Sequence, residues 1–136
     1  MTNIELNEKL KSLVAKEREL SEQLGIKFYA VTAAKFHRTM WWRNGEELVR
    51  WIPSLWEAYK IIRTEKIDLF LSFGGYLAVP FAILAKLLGK KVVTHEQTIT
   101  SGLANEVIAQ VADRIAVSFE ESRKLFPKHK TVLTGN

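Results

Sequence analysis

Residues 67–97 read IDLFLSFGGYLAVPFAILAKLLGKKVVTHEQ, and this stretch decides the fold class. Ile67 to Phe73 is an apolar run of strand length, and Gly74-Gly75 punctuates it. Leu77 to Leu88 is apolar almost all round, the pattern of a buried helix, and Gly89 ends it. Lys91-Val92-Val93-Thr94 then reads as a second strand. Strand, tight turn, buried helix and strand in so few residues describe a right-handed βαβ unit, the building block of a parallel sheet.

The same alternation continues toward the carboxyl end. Gly102 to Ala112 reads as a helix, Arg114 to Ser118 as a strand and Glu120 to Phe126 as a short helix before Pro127. Thr131 to Thr134 reads as a last strand. Toward the amino end, Leu48, Ile52, Leu55, Tyr59 and Ile62 line one face of a helix, with Trp56 in phase and assigned to the core. Pro53 suits that helix's first turn. Residues 32–45 read as a loop and Ile26 to Val31 as a short strand. Leu6, Leu10, Leu13, Val14, Leu20 and Leu24 recur at helical spacing before Gly25. The expectation is a three-layer α/β domain, a Rossmann-like parallel sheet with both faces covered.

A chain of 136 residues, 47% hydrophobic and 26% charged, accommodates one domain with a real core. The absence of cysteine excludes disulfides and thiolate chemistry. Three scattered histidines (His37, His95, His129) do not make a metal site, and neither a metal nor a cofactor is expected. A net charge of +5 favours anionic partners. The longest apolar stretch, Tyr76 to Leu88, is broken by Pro80 and Lys86 and is too short to span a bilayer. Residues 1–15 lack the form of a secretory signal, so the expected location is cytoplasmic.

In open parallel sheets ligands bind beyond the carboxyl ends of the strands. Three such ends carry unusual residues. At Gly74-Gly75-Tyr76 two glycines expose backbone N–H groups in front of a helix start, a cradle for phosphate. On the glycines alone, a tight turn needing permissive dihedrals is the stronger reading. At His95, Glu96, Gln97 and Thr98, four polar side chains leave a buried strand; His95 and Glu96 can orient one another or bind sugar hydroxyls. The alternative there is a solvated loop whose Glu caps the next helix. The third end is Thr134-Gly135-Asn136.

Taken in order, these segments resemble the MurG family of UDP-N-acetylglucosamine transferases. The matching words are Phe73-Gly74-Gly75-Tyr76 with Pro80, Leu87-Leu88-Gly89, His95-Glu96-Gln97 and Gly102-Leu103-Ala104-Asn105. They continue through Ala112-Asp113-Arg114, Phe119-Glu120-Glu121 and Phe126-Pro127-Lys128 to Thr134-Gly135-Asn136. The likeness is close from Lys66 onward and looser before it, at Gly25 to Tyr29 and Lys35 to Arg38.

The resemblance implies one half of a GT-B type glycosyltransferase, with residues 1–136 a single, partial acceptor-side domain. Gly74, Gly75 and Tyr76 are implied to face a lipid-linked pyrophosphate sugar acceptor. His95, Glu96, Gln97 and Thr98 are implied to line the interdomain cleft, with Asn105 and Asn136 structural or beside it. Thr98 replaces the asparagine usual in the family, which loses an amide's paired donor and acceptor. The family's opening Gly-rich strand-loop, with its proposed base histidine, has no counterpart before Ile26. The donor domain is likewise not represented. The expected function is thus the acceptor-binding half of a UDP-N-acetylglucosamine transferase, inactive alone; the alternative is a non-catalytic membrane-associated module or split-enzyme subunit that needs a donor-domain partner.

All four tryptophans fall between Trp41 and Trp56, among Lys35, Arg38, Arg43, Arg50, Lys60 and Arg63. Trp41, Trp42 and Trp51 are out of phase with the apolar helix face and, with Arg43, suit an anionic membrane surface. The family's lipid-anchored acceptor implies the same, at the inner face of the cell membrane. Packing against a missing domain is the alternative, and nucleic acid is not expected as a partner.

Overall fold

A computed structural model describes residues 3–31 and 45–135, with the side chains of 3–7, 10 and 45–51 excepted. It forms two compact units, Met1–Val31 and Thr32–Asn136.

The first unit is a single long helix, α1 (Asn3–Gln23), and the segment after it. Gly25 takes a φ of +67° and ends the helix; the Ile26 N–H donates to the Ser21 carbonyl at 2.8 Å and the Gly25 N–H to that of Glu22 at 3.0 Å. This is the paired closure that an αL glycine permits. Leu13, Leu20 and Leu24, assigned to an apolar face, are exposed. The strand expected at Ile26 to Val31 does not form. β-rich composition makes a strand only where a neighbour accepts its hydrogen bonds. Phe28 instead lies under the Arg18 guanidinium, 5.9 Å from its ring centroid.

Among the described residues, the second unit comprises α2 (Gly45–Thr64), β1 (Leu69–Ser72), α3 (Ala78–Leu87), β2 (Lys91–Glu96), α4 (Leu103–Val111) and β3 (Arg114–Val117). A 3-10 turn (Glu121–Leu125) and β4 (Thr131–Leu133) complete it. The four strands lie in the order β1-β2-β3-β4, all parallel. The α/β Rossmann-like class expected from the sequence is the one observed.

Register fixes what each face carries. Phe70 pairs with Val92, Ser72 with Thr94, Thr94 with Ile115 and Glu96 with Val117, so these residues share one face. α3 and α4 pack on it, and Val79, Ala82, Ala85, Ile108, Ala109, Val92, Ile115 and Val117 form one core with Ile62 and Phe126. Fully burying a branched aliphatic side chain such as Ile108 contributes about 1.5–3 kcal/mol. The opposite face keeps Leu69, Leu71 and Val132 about half exposed. α3 and α4 both lie on the first face, so neither supplies the layer expected on this one.

Two readings of α2 change. Pro53 is inside the helix, which runs on amino-terminally to Gly45. Its inward stripe is Ser54, Ala58 and Ile62, while Ile52 and Trp56 point to solvent. Small residues on that stripe allow close approach to α3, which rotates the larger side chains outward. Trp56 is therefore not in the core.

Candidate functional site

The carboxyl edge of the sheet is assembled from the loops after β1, β2 and β3. After β1 the chain makes two successive residues with positive φ, Gly74 at +89° and Gly75 at +85°. Side chains rarely adopt either conformation, so the dihedral reading of these glycines holds. Gly74 carries a second constraint. A Cβ there would lie 3.1 Å from both the Nδ2 and the Oδ1 of Asn105, whereas one at Gly75 meets nothing within 4 Å. The expectation that both N–H groups stand free needs one correction. The Gly74 N–H donates to Ser72 Oγ at 3.0 Å, closing the turn on its own strand. The Gly75 N–H is not engaged within the described residues. The Gly75 carbonyl accepts from Ala78 N–H at 3.2 Å, where α3 starts, and no side chain caps that helix. Tyr76 is 42% exposed beside the turn.

After β2 the structure changes the sequence reading more. The strand runs through His95 and Glu96 rather than ending at Thr94. Alternation along a strand sends these two side chains to opposite faces, so they do not orient one another. His95 Nε2 lies 3.1 Å from Ser118 Oγ, at the end of β3, and its ring meets Phe73 edge-on at 5.8 Å between centroids. His95 thus touches residues from the loops after both neighbouring strands.

Glu96 turns into the helix-covered face and is only 3% exposed. Its Oε1 accepts from the Thr98 N–H at 3.0 Å and lies 2.6 Å from Thr98 Oγ1. Its Oε2 accepts from Asn105 Nδ2 at 2.8 Å and from the Gly102 N–H at 3.4 Å. Burial pushes the Glu96 carboxyl up, but the hydrogen bonds from Thr98, Asn105 and Gly102 outweigh it and hold it below the usual carboxylate value. Its side chain therefore does not line an open cleft. Its bond to Gly102, the residue before α4, is nearest to the helix-capping alternative.

Asn105 is also buried, and Thr94 Oγ1 donates to its Oδ1 at 3.1 Å. Gln97 and Thr98 are exposed, but the Thr98 hydroxyl is committed inward: it lies 2.6 Å from the Thr100 carbonyl as well as from Glu96, with one proton to serve the two. From the other side, buried Ser122 donates to the Thr98 carbonyl at 2.9 Å.

After β4 the Thr134 N–H continues the ladder to the Val117 carbonyl at 3.0 Å, and Gly135 takes a φ of +76°. Asn136, Trp41, Trp42 and Arg43 lie outside the described residues, as does the side chain of Trp51. Sequence reasoning placed Ser72 at the first strand end, in Ser72-Phe73-Gly74-Gly75-Tyr76, without giving it a role, and missed Ser118 and Ser122. The rule that ligands gather at strand ends points to Ser72 and Ser118, but nothing in the spacing marks Ser122. Among the described residues no three His, Asp or Glu side chains are grouped as metal ligands. No helix among them is long and apolar enough to cross a membrane.

Residues 10–117 match the glycosyltransferase family 28 N-terminal domain. Two relatives are named UDP-N-acetylglucosamine–N-acetylmuramyl-(pentapeptide) pyrophosphoryl-undecaprenol N-acetylglucosamine transferase. The Shouchella clausii protein is 35% identical over 120 residues, and the Clostridium botulinum protein 36% over 119. Each match covers 88% of this chain and 34% of the relative, so the chain spans about a third of their length. The crystal structure of Acinetobacter baumannii MurG superposes with a TM-score of 0.69 at 25% identity, over 88% of this chain and 32% of that one. The UDP-GlcNAc 2-epimerase of Methanocaldococcus jannaschii shares the fold at 14% identity and a TM-score of 0.57, over 90% of this chain and 36% of that one. The resemblance to MurG read from the motifs is borne out by these matches.

Proposed function

The chain belongs to glycosyltransferase family 28, as an N-terminal domain, and from that membership we propose that it is the acceptor-binding half of a UDP-N-acetylglucosamine transferase. The acceptor in this reading is a sugar on a polyprenyl pyrophosphate. The observation that carries it is the turn after β1. Two positive-φ glycines, held in shape by Ser72 and Asn105, leave the Gly75 N–H unengaged at the uncapped start of α3. A pyrophosphate needs such N–H donors and the partial positive charge of a helix start. Tyr76, exposed beside the turn, and His95, braced by Ser118, supply polar groups within the same edge. Gln97 is exposed on the next loop, which supports a role for its amide in binding sugar hydroxyls.

In the transfer itself an acceptor hydroxyl oxygen bonds to C1 of N-acetylglucosamine as the bond from C1 to UDP breaks. The hydroxyl proton passes to a base, and UDP leaves as the anion. The residues described supply orientation of the acceptor for that step, worth much of the rate only when donor and base are within reach. We assign donor site and base to polypeptide beyond these residues, in the same protein or a partner chain. The third of the relatives' length that this chain spans is consistent with that division.

A lipid-linked acceptor requires contact with a membrane. Ile52 and Trp56 follow one another along the outer side of α2, 60% and 56% exposed. The Lys60 ammonium lies over the Trp56 ring, 5.3 Å from its centroid, and Tyr59 stacks on the same ring at 5.6 Å. Amphipathic rings and basic side chains on one surface suit the headgroup region of an anionic bilayer, here the inner face of the cell membrane. On their sequence alone, Trp41, Trp42, Arg43 and Trp51 are proposed as further membrane contacts.

Flotation of the purified chain with vesicles tests both parts. Binding is expected only with anionic lipid, to fall severalfold for Trp56→Ala or for Trp41→Ala/Trp42→Ala as the interfacial rings are lost, and to rise when polyprenyl-pyrophosphate sugar is included. Equal flotation of neutral vesicles and of the variants sinks the membrane surface. Turnover of UDP-N-acetylglucosamine by the chain alone sinks the half-enzyme reading. Acceptor binding with no gain in transfer on adding a donor-domain chain favours a non-catalytic module.

A further inference from the structure

The buried polar cluster beneath the site joins two loops that share no backbone hydrogen bond. Asn105 stands in the first turn of α4 with its amide against Gly74, close enough that a Cβ at that position would meet it at 3.1 Å. The same amide donates to Glu96 Oε2 at 2.8 Å, and its oxygen accepts from Thr94 at 3.1 Å. Glu96 in turn accepts from the Thr98 N–H at 3.0 Å and the Gly102 N–H at 3.4 Å, near the two ends of the loop 97–102. Ser122 holds that loop from its other side through the Thr98 carbonyl. No buried side-chain nitrogen or oxygen among the described residues lacks a partner.

A buried carboxylate is a weak means of stabilising a fold, because desolvation offsets most of what its hydrogen bonds contribute. What such a group does well is fix one arrangement, since each lost bond leaves a buried polar atom unsatisfied. Here the arrangement fixed is the placement of the glycine turn against the polar loop. We propose that Asn105 and Glu96 are positioning residues: they clasp the turn Gly74–Tyr76 to the loop 97–102 and do not themselves touch the bound pyrophosphate. Thr98 belongs to the same clasp. Its hydroxyl faces inward, so the position where the family usually has asparagine serves loop geometry in this chain instead of contacting ligand. This inference rests on the acceptor reading only for the identity of the ligand; the clasp itself does not need it.

The test is amide hydrogen exchange on the 15N-labelled full chain, with a titration of inorganic pyrophosphate followed in the same spectra. Asn105→Asp sets a second carboxylate against Glu96, and Glu96→Gln removes the charge. Each single change is expected to speed exchange at the hydrogen-bonded amides of Gly74, Thr98 and Gly102 by roughly threefold to tenfold, the scale of one lost hydrogen bond. Ile115 and Val117 in β3 are expected to keep their protection, and pyrophosphate affinity to fall by a similar factor. The reciprocal pair Glu96→Gln/Asn105→Asp restores a donor facing an acceptor, so it is expected to recover most of the protection and the affinity. A purely structural role predicts no such rescue, because packing at both positions is nearly unchanged throughout.

Loop exchange unmoved by either single variant, or a double variant no better than the worse single, overturns the clasp. If the single variants do not fold, Thr98→Val removes one bond to Glu96 from an exposed position. Unchanged protection at Gly102 and in the loop then overturns the clasp as well. A wild-type chain that shows the expected exchange pattern but does not bind pyrophosphate leaves the clasp standing and overturns the pyrophosphate reading.

Discussion

Gly74 and Gly75 are adjacent and share the same sign of φ, yet they are held to glycine for different reasons. Gly75 needs only its dihedral, since nothing lies within 4 Å of where its Cβ would be. Gly74 needs the dihedral and the room that Asn105 leaves. Left-handed backbone costs an L residue about 1–2 kcal/mol, so Gly75→Ala is expected to lose that much in denaturant unfolding. Gly74→Ala is expected to lose more, by about a further 1–3 kcal/mol for crowding a buried side chain. Equal losses at the two positions would remove the Asn105 contact from the account. Both glycines are plain in the sequence, but their difference is not, because Asn105 is 31 residues away from Gly74 along the chain. The same holds for His95 and Glu96. As neighbours in sequence they look like a pair, and the pleat of β2 sends one to Ser118 and the other to Asn105.

At the level of elements, the helices and strands after Lys66 were legible to within a residue or two, because each is closed by a glycine, a proline or a change of period. The chain entering β1 has a closure of a rarer kind. Lys66 takes a φ of +51°, and the Ile67 N–H donates back to the Ile62 carbonyl at 3.1 Å. Glycine is the usual residue for that position. Lys66→Gly is expected to raise stability by about 0.5–1 kcal/mol, the relief of the left-handed backbone less the added freedom of the unfolded chain. A thermal melt that moves down instead would mean that the Lys66 side chain contributes a contact of its own. The elements misread were those whose fate depends on neighbours. Ile26 to Val31 has strand composition, and no strand among the described residues pairs with it. The inward face of α2 was placed on its large side chains, whereas Ser54 and Ala58 are buried because α3 comes close there.

For the whole molecule, two carboxylates tie stability to pH. The Lys86 ammonium, 2.8 Å away, and the Val92 N–H, at 2.9 Å, hold Asp113 below the usual carboxylate value, as the bonds from Thr98 and Asn105 do Glu96. A group whose folded pKa is depressed binds fewer protons in the folded state than in the unfolded one at the same acidic pH. Stability therefore rises with pH through that window. The contribution is complete above the ordinary carboxylate range and is lost as pH falls through the folded values. The unfolding midpoint is expected to be level near neutrality and to drop steeply below about pH 4. Lys and Arg outnumber Asp and Glu by 20 to 15, so growing repulsion steepens the fall. Glu96→Gln/Asp113→Asn is expected to begin lower and to flatten the acid limb; an unchanged slope would assign the acid sensitivity to other groups.

The sequence by itself determined the class of fold, the order of the elements after Lys66 and the strand ends that carry polar or glycine-rich loops. These follow from local period and turn chemistry, which a short window contains. It also carried the family, since words such as Phe73-Gly74-Gly75-Tyr76 and His95-Glu96-Gln97 keep their order and spacing. Only the tertiary structure decided which of those residues turn into the core and which stay exposed at the edge of the sheet. That choice depends on strand register, on which helix lies over which strand, and on contacts such as Asn105 with Gly74 and Ser122 with Thr98. Those contacts join residues more than twenty positions apart, and only packing brings them together.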